Sequence, residues 1–254
     1  MKIGVFVLGF SFLLFHPAGS NAQQKKITVA VAANMQYAFA ELKNEFEKNN
    51  DVKVNVVVGA SGNLTRQIVQ GAPFDVFISA DTKYPGNIYE QGFAAEKPKV
   101  YARGALVLWT TKEGIQLNSD LHFLLSPKIR SIAIANPKIA PYGTAAVALL
   151  EKNSLVEDLK NKLVYGESIS QTSQFIASGN ADIGFTAKAV VLSTQMKNKG
   201  KWIELNAQDY PPILQAAVLL KHGLQKHTVA AQKFYEFLFS EKAKDIYKKY
   251  GYIN

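Results

Sequence analysis

The stretch from Ser61 to Asp81 constrains the fold more than any other, because a small-residue loop, an amphipathic helix and a buried strand follow one another with almost no linker. The apolar run Val52 to Val58 ends in Gly59-Ala60-Ser61-Gly62, and the helix that opens there keeps Leu64 and Ile68 on one face. After Gly71-Ala72-Pro73, residues Asp75 to Ser79 read as a strand. A strand that ends in small residues and feeds straight into a helix leaves backbone N–H groups unpaired. It also aims a positive dipole end at whatever lies above it. Such a junction is an anion cradle.

The amino terminus belongs to a different class of segment. Lys2 precedes the apolar run Ile3 to Phe15, and Ser20-Asn21-Ala22 supplies small residues at the expected cleavage positions, so residues 1–22 read as a secretory signal peptide. The apolar run is shorter than the roughly 20 residues that span a bilayer. There is no cysteine, which excludes disulfides, thiolate metal sites and a lipid-anchoring cysteine after the signal. An exported protein diffusing freely in a periplasm is the expectation.

The rest of the chain alternates strand and helix. Ile27 to Ala33 is a short apolar strand, after which Met35, Ala38, Phe39, Leu42 and Phe46 recur at helical spacing. Strands at Lys53 to Val58 and Asp75 to Ser79 and helices at Leu64 to Gln70 and Tyr84 to Gly92 follow, then one long strand from Arg103 to Thr110. The pattern then restarts. Ser131 to Ala135, Lys162 to Gly166 and Ala181 to Thr186 read as strands, with helices at Thr144 to Lys152 and Gln171 to Ser178. Leu214 to Leu220 is a further strand, and Val229 to Ser240 and Glu241 to Tyr250 are amphipathic helices. Continuous β-branched runs predict mostly parallel α/β sheets covered on both faces. Two such blocks, with long strands near 104–110 and 214–220, predict two lobes between which the chain crosses twice. Residues 23–105 and 216–254 would form the first lobe and 106–215 the second. In open parallel sheets, ligands sit beyond the carboxyl ends of strands. The loops there are Ala33-Asn34, Ala60-Ser61-Gly62, Pro141-Tyr142-Gly143 and Ser168-Ile169-Ser170, two from each block.

A formal charge of +9 invites a nucleic-acid reading, but the lysines are scattered singly or in pairs, without a basic run or an aromatic-basic motif. They describe a solvated surface with mild steering of anions. Enzyme readings are equally poorly supported. Gly59-Ala60-Ser61-Gly62 lacks the second glycine of a nucleophile elbow, where Asn63 stands instead. His122, His222 and His227 are widely separated, with no metal-ligand spacing and no partner for a serine, and there is no nucleotide-binding glycine loop. Asp75, Asp81, Arg66 and Arg103 read as caps or ion pairs. From the residues alone, Ser61 and Asn34 fit helix N-caps as well as ligand donors.

Several motifs together carry a family resemblance. Val29-Ala30-Val31-Ala32-Ala33-Asn34, Gly59 to Leu64, Gln67 to Asp81, Ala135-Asn136-Pro137, Ala140-Pro141-Tyr142-Gly143 and the closing Lys249-Tyr250-Gly251-Tyr252 resemble the periplasmic molybdate-binding proteins of ABC importers. The likeness covers essentially the whole exported chain. It implies a two-lobed type II periplasmic binding fold, each lobe a mainly parallel sheet flanked by helices, with the ligand in the interlobe cleft. It also implies a monomer that captures molybdate or tungstate and passes it to an inner-membrane permease driven by a cytoplasmic ATPase. No cofactor, no enzymatic step and no direct protein–molybdenum bond is implied. Matched residue by residue, Asn34 and Ser61 are the first-lobe donors, Tyr142 and the Ile169 N–H the second-lobe donors, with Ala33 and Ser170 as possible additional N–H groups. One position departs: Gly184-Phe185-Thr186 is followed by Ala187, where some relatives place a tyrosine.

The chemistry such a site needs is independent of the family name. Molybdate is fully deprotonated at neutral pH and offers only acceptors, so hydroxyls, amide N–H groups and helix ends suit it and a carboxylate repels it. Hydrogen phosphate carries a proton that a donor-only pocket leaves unpaired, at roughly 1–3 kcal/mol. Sulfate has the same charge as molybdate and differs in size, so a receptor for sulfate or another small oxyanion is the nearest alternative. An enzyme on the same scaffold is a remote one.

Overall fold

The structure, a computed structural model, describes residues 25–253. The expected signal peptide at 1–22 lies outside the described residues, among which no helix is long and apolar enough to cross a membrane.

The first block runs β1 (Lys25–Ala32), a 3-10 turn (Ala33–Met35), α1 (Gln36–Asn49), β2 (Val52–Gly59), α2 (Ser61–Val69), β3 (Val76–Ser79), α3 (Lys83–Glu90) and β4 (Lys99–Gly104). The second runs β5 (Leu106–Thr110), β6 (Ile132–Ala135), α4 (Pro141–Lys152), α5 (Val156–Leu159), β7 (Leu163–Gly166), α6 (Ile169–Ala177), β8 (Ile183–Ala187), α7 (Lys188–Val191) and β9 (Lys201–Glu204). The chain returns through β10 (Ile213–Leu219) and closes with α8 (Lys221–Lys226), α9 (Thr228–Phe237) and α10 (Glu241–Lys249).

The strands form two five-stranded sheets of the same design, ordered β2-β1-β3-β10-β4 and β7-β6-β8-β5-β9. In each, three strands linked through helices are parallel, as a helical crossover requires. The fourth strand is antiparallel to both its neighbours. That fourth strand, β10 or β5, is the one that arrives directly from the other sheet. The expected long strand Arg103 to Thr110 is therefore two strands, broken at Ala105 where the chain leaves one sheet for the other. Ile213, Leu214 and Gln215, expected at the end of the second lobe, pair with Gly104, Arg103 and Ala102 in the first sheet.

Burial follows position in the sheet. The interior residues of β1 are covered on both faces, and all of β3 is buried. Phe39 and Phe46 of α1 pack one sheet face against Phe234 of α9, at ring-centroid distances of 5.9 and 5.0 Å. Leu64, Ile68 and Ile88 cover the other face, over Phe77. Each such side chain contributes roughly 1.5–3 kcal/mol by leaving water. In β2 the expectation of two covered faces fails, because this edge strand leaves Val56 and Val58 about two-fifths exposed. After α10, Gly251 adopts a left-handed φ of 76° and turns the chain back. Ile253 then bonds Arg103 in both directions, at 2.6 and 2.9 Å, strapping the tail onto β4.

Candidate functional site

The carboxyl ends of β1, β2 and β3 face those of β6 and β7, and a small cavity lies between them. From the first block it is lined by Ala33, Asn34, Ala60, Ser61 and Ala80, from the second by Ala140, Tyr142 and Ile169. No charged side chain among the described residues lines it. Glu167 is exposed and is not part of the wall.

What the helices lack there is informative. The 3-10 turn, α2 and α4 begin after Ala32, Ala60 and Ala140, and none has a side-chain cap. Alanine at an N-cap costs about 1 kcal/mol against Ser, Thr, Asp or Asn. Three starts at one cavity thus lack a side-chain acceptor for their first N–H groups, although Gly62 finds the Ile139 carbonyl and α4 opens on Pro141, which has no N–H; an anion completes such an arrangement. The capping alternative for Ser61 and Asn34 is also removed, since Ser61 is the first residue inside α2 and Asn34 lies within the 3-10 turn. Of the four starts at the cavity, only α6 has a conventional cap, with Ser168 Oγ accepting from the Gln171 N–H. Ile169 opens that helix, so its own N–H has no intrahelical acceptor.

Ser61 is 1% exposed, and its Oγ accepts the Ala80 N–H at 3.1 Å. That bond fixes the oxygen and leaves the hydroxyl proton free to donate. The next residue, Gly62, gives its N–H across the cleft to the Ile139 carbonyl at 2.9 Å. A Cβ at this position would lie 2.7 Å from the Tyr84 hydroxyl and 3.0 Å from Ile139 Cα, so glycine is what lets the lobes meet. Tyr84 OH donates to the Lys138 carbonyl and Ser170 Oγ to Gln36 Oε1 at 2.7 Å, two more bonds across the same cleft. The Ser170 hydroxyl is therefore engaged in closure.

Asn34 is held from behind. Its amide nitrogen donates to Gln215 Oε1 at 2.8 Å and to Tyr252 OH at 3.0 Å, while Tyr252 OH donates to the Asn34 carbonyl at 3.1 Å. Both side-chain N–H groups are engaged, which leaves the backbone N–H in the first turn as its donor toward the cavity. Gln215 in turn donates to the Ala80 carbonyl, so Asn34, Ala80 and Ser61 form one braced wall.

Tyr142 is the opposite case. Its ring is buried, and its hydroxyl has no hydrogen-bond partner among the described residues. The hydroxyl presses on Gly104, where a Cβ would meet it and where Gln215 Nε2 would lie 3.0 Å away. Burial first, then the Tyr252 and Tyr210 hydroxyls, push this phenol well above its usual range. The Asn34 amide alongside pulls the other way without making a hydrogen bond of ordinary geometry. Tyr142 is accordingly a neutral donor across the physiological range. Ala187 ends β8 away from the cavity wall, and the next N–H, from Lys188, bonds the Ala105 carbonyl at the crossing.

Gln215, Tyr252, Gly104 and Ala80 are the site residues that local sequence reading misses. A second cluster, which sequence spacing set aside, is also assembled: His222 and His227 meet on Asp75 at the amino end of β3, the end remote from the cavity.

Two lobes with matching sheets, closing on a neutral, donor-lined cavity at the carboxyl ends of their strands, define a type II periplasmic binding fold. The chain belongs to the bacterial extracellular solute-binding protein family, which it matches over residues 27–253. It is 39% identical to the molybdate-binding protein ModA of Azotobacter vinelandii, across 91% of each chain. It is 37% identical to the ModA of Rhodobacter capsulatus, across 100% of this chain and 96% of that one. Its structure is similar to that of the periplasmic molybdate-binding protein of Azotobacter vinelandii, with a TM-score of 0.84 and 36% identity, covering 90% of this chain and 99% of that one.

Proposed function

We propose that this protein is a periplasmic receptor that captures molybdate, and tungstate with it, and delivers the oxyanion as a monomer to an ABC importer. The observation that carries the reading is the cavity's uniform donor character: three uncapped helix starts and the unpartnered Tyr142 hydroxyl converge on a space without a carboxylate. In this reading the Ser61 hydroxyl and N–H, the Asn34 N–H, the Tyr142 hydroxyl and the Ile169 N–H hold the anion, with Ala33 and Ser170 N–H groups adjoining. The metal stays inside its oxygen shell and touches no protein atom. Residues 25–105 and 213–253 act as one lobe and 106–212 as the other, and release into the permease requires the three cross-cleft hydrogen bonds to open.

The names of the ModA relatives support the choice of oxyanion, and the donor chemistry supports its rank over phosphate, whose proton would be left unpaired. Calorimetric titration of the exported chain with molybdate, tungstate, sulfate and phosphate tests it. Saturation at one equivalent by molybdate and tungstate, with phosphate silent, is the expected outcome. Phosphate binding as tightly as molybdate would overturn the donor-only argument, and sulfate binding tightest would make this a sulfate receptor.

A further inference from the structure

We propose that Asp75, His222 and His227 form a binding site for a divalent transition-metal ion, zinc above all, on the pole of the first lobe opposite the cleft. The nitrogen Nδ1 of His222 lies 3.1 Å from Asp75 Oδ1, and that of His227 lies 2.9 Å from the same oxygen. The three ligand atoms are within 4.8 Å of one another. The other carboxylate oxygen, Oδ2, accepts the Thr28 N–H at 2.6 Å, so one oxygen is anchored and the other is offered to the imidazoles. Bonds of about 2.0–2.2 Å from zinc to nitrogen and oxygen set tetrahedral ligand–ligand separations of roughly 3.4 Å. The two Asp–His distances need to open by a few tenths of an ångström, and the two imidazole nitrogens, within 4.8 Å of each other, to draw in by no more than about 1.4 Å, a side-chain rotation, to admit the ion.

The framework is rigid. Asp75 is 1% exposed, at the start of a fully buried strand, and its backbone carbonyl accepts the Leu220 N–H. Helix α8 crosses directly above it at Gly223, where a Cβ would lie 2.7 Å from that carbonyl and 2.9 Å from Asp75 Cα. The glycine lets α8 approach, and the His227 N–H then bonds the Gly223 carbonyl at 2.8 Å, fixing the second histidine at the junction of α8 and α9. The two imidazoles are 33% and 40% exposed, which leaves the remaining coordination positions open to water.

Two imidazoles and one carboxylate suit zinc, nickel and copper and are a poor set for calcium or magnesium, which prefer oxygen. Lys25, Lys26 and Lys226 line a groove that His227 also borders, and their charge weakens the hold on any dication. Zinc, with no geometric preference from its d electrons, takes a tetrahedral nitrogen–oxygen set with open positions, which ranks it ahead of nickel and copper.

The test is calorimetric titration of the tag-free exported chain with zinc chloride, run without added oxyanion and therefore independent of the proposed transport ligand. The expected result is saturation at about one equivalent, with His222→Gln and His227→Gln each weakening binding at least about tenfold, the scale of 1.4 kcal/mol. Circular dichroism and the melting temperature in chelator show whether each variant is folded. His122→Gln leaves binding unchanged if the proposal is right, because the exposed His122–Asp120 pair is elsewhere. No saturable binding, or undiminished binding in the folded His222→Gln/His227→Gln double variant, overturns the site and leaves the cluster as a tie between α8 and β3. A zinc-edge anomalous peak between the three side chains would locate the ion directly.

Discussion

The two walls of the cavity are built on different plans. The first-lobe wall is braced from within: Ser61 takes the Ala80 N–H, Gln215 holds Ala80 and Asn34, and Tyr252 grips Asn34 at two atoms. The second-lobe wall presents Tyr142 with nothing to bond among the described residues and Ile169 at the start of the Ser168-capped α6, where its own N–H has no intrahelical acceptor. The first wall is thus held in place by the chain's own hydrogen bonds. The other has no partner for its hydroxyl even with the lobes in contact, and in the proposed reading the anion supplies one. Differential interaction with the closed arrangement is what lets a ligand shift such an equilibrium.

Three changes would break or sharpen this contrast. The largest effect is expected from Gly104→Val. Its side chain occupies the place of the Tyr142 hydroxyl, and overpacking of this kind costs up to about 3 kcal/mol, or roughly a hundredfold in affinity. Titration with molybdate measures it; affinity within about threefold of the parent would mean that Tyr142 does not need that position.

Next comes a matched pair. Ser61→Ala and Tyr142→Phe each delete one hydroxyl, and a hydrogen bond to a charged partner contributes roughly 1.5–3 kcal/mol, so both are expected to weaken binding about ten- to a hundredfold. They should separate in the ligand-free protein. Removing the Ser61 hydroxyl strands the buried Ala80 N–H and lowers the melting temperature, whereas removing the unpartnered Tyr142 hydroxyl leaves it level or raises it. Equal melting shifts in thermal scans would erase the distinction between braced and unbraced walls. The smallest effect belongs to the latch. Ser170→Ala removes the bond to Gln36, a neutral contact worth about 0.5–1.5 kcal/mol, and a fall of about threefold to tenfold in affinity is expected, mainly through faster release in stopped-flow traces. An unchanged release rate would show that the latch does not hold the closed form.

Much of this architecture can be read locally. The alternation of apolar runs with helical spacing locates the parallel strands and their helices, and the strand-to-helix junctions locate four of the loops around the cavity. Edge strands β4 and β9 escape because their sequences, Lys99 to Gly104 and Lys201 to Glu204, are mixed and only partly buried. The break at Ala105 escapes because a strand changing sheets carries the same apolar pattern on both sides. Gln215 and Tyr252 lie 181 and 218 residues from Asn34, beyond any local periodicity. The uncapped helix starts, by contrast, were visible as Ala32, Ala60 and Ala140 standing where Ser, Thr or Asp would be usual.

The bond from Tyr252 to Asn34 has a consequence for the growing chain. A polypeptide made from its amino end lacks the Tyr252 part of the brace behind Asn34 until residue 252 has been added, although Gln215 and every first-block residue of the cavity have long been synthesised. Closing a loop of that length is entropically expensive and slow, so contacts of high sequence separation form late. The wall around Asn34 is therefore completed late, and a chain that stops before residue 252 keeps the Gln215 bond to Asn34 but lacks both bonds of the Tyr252 hydroxyl.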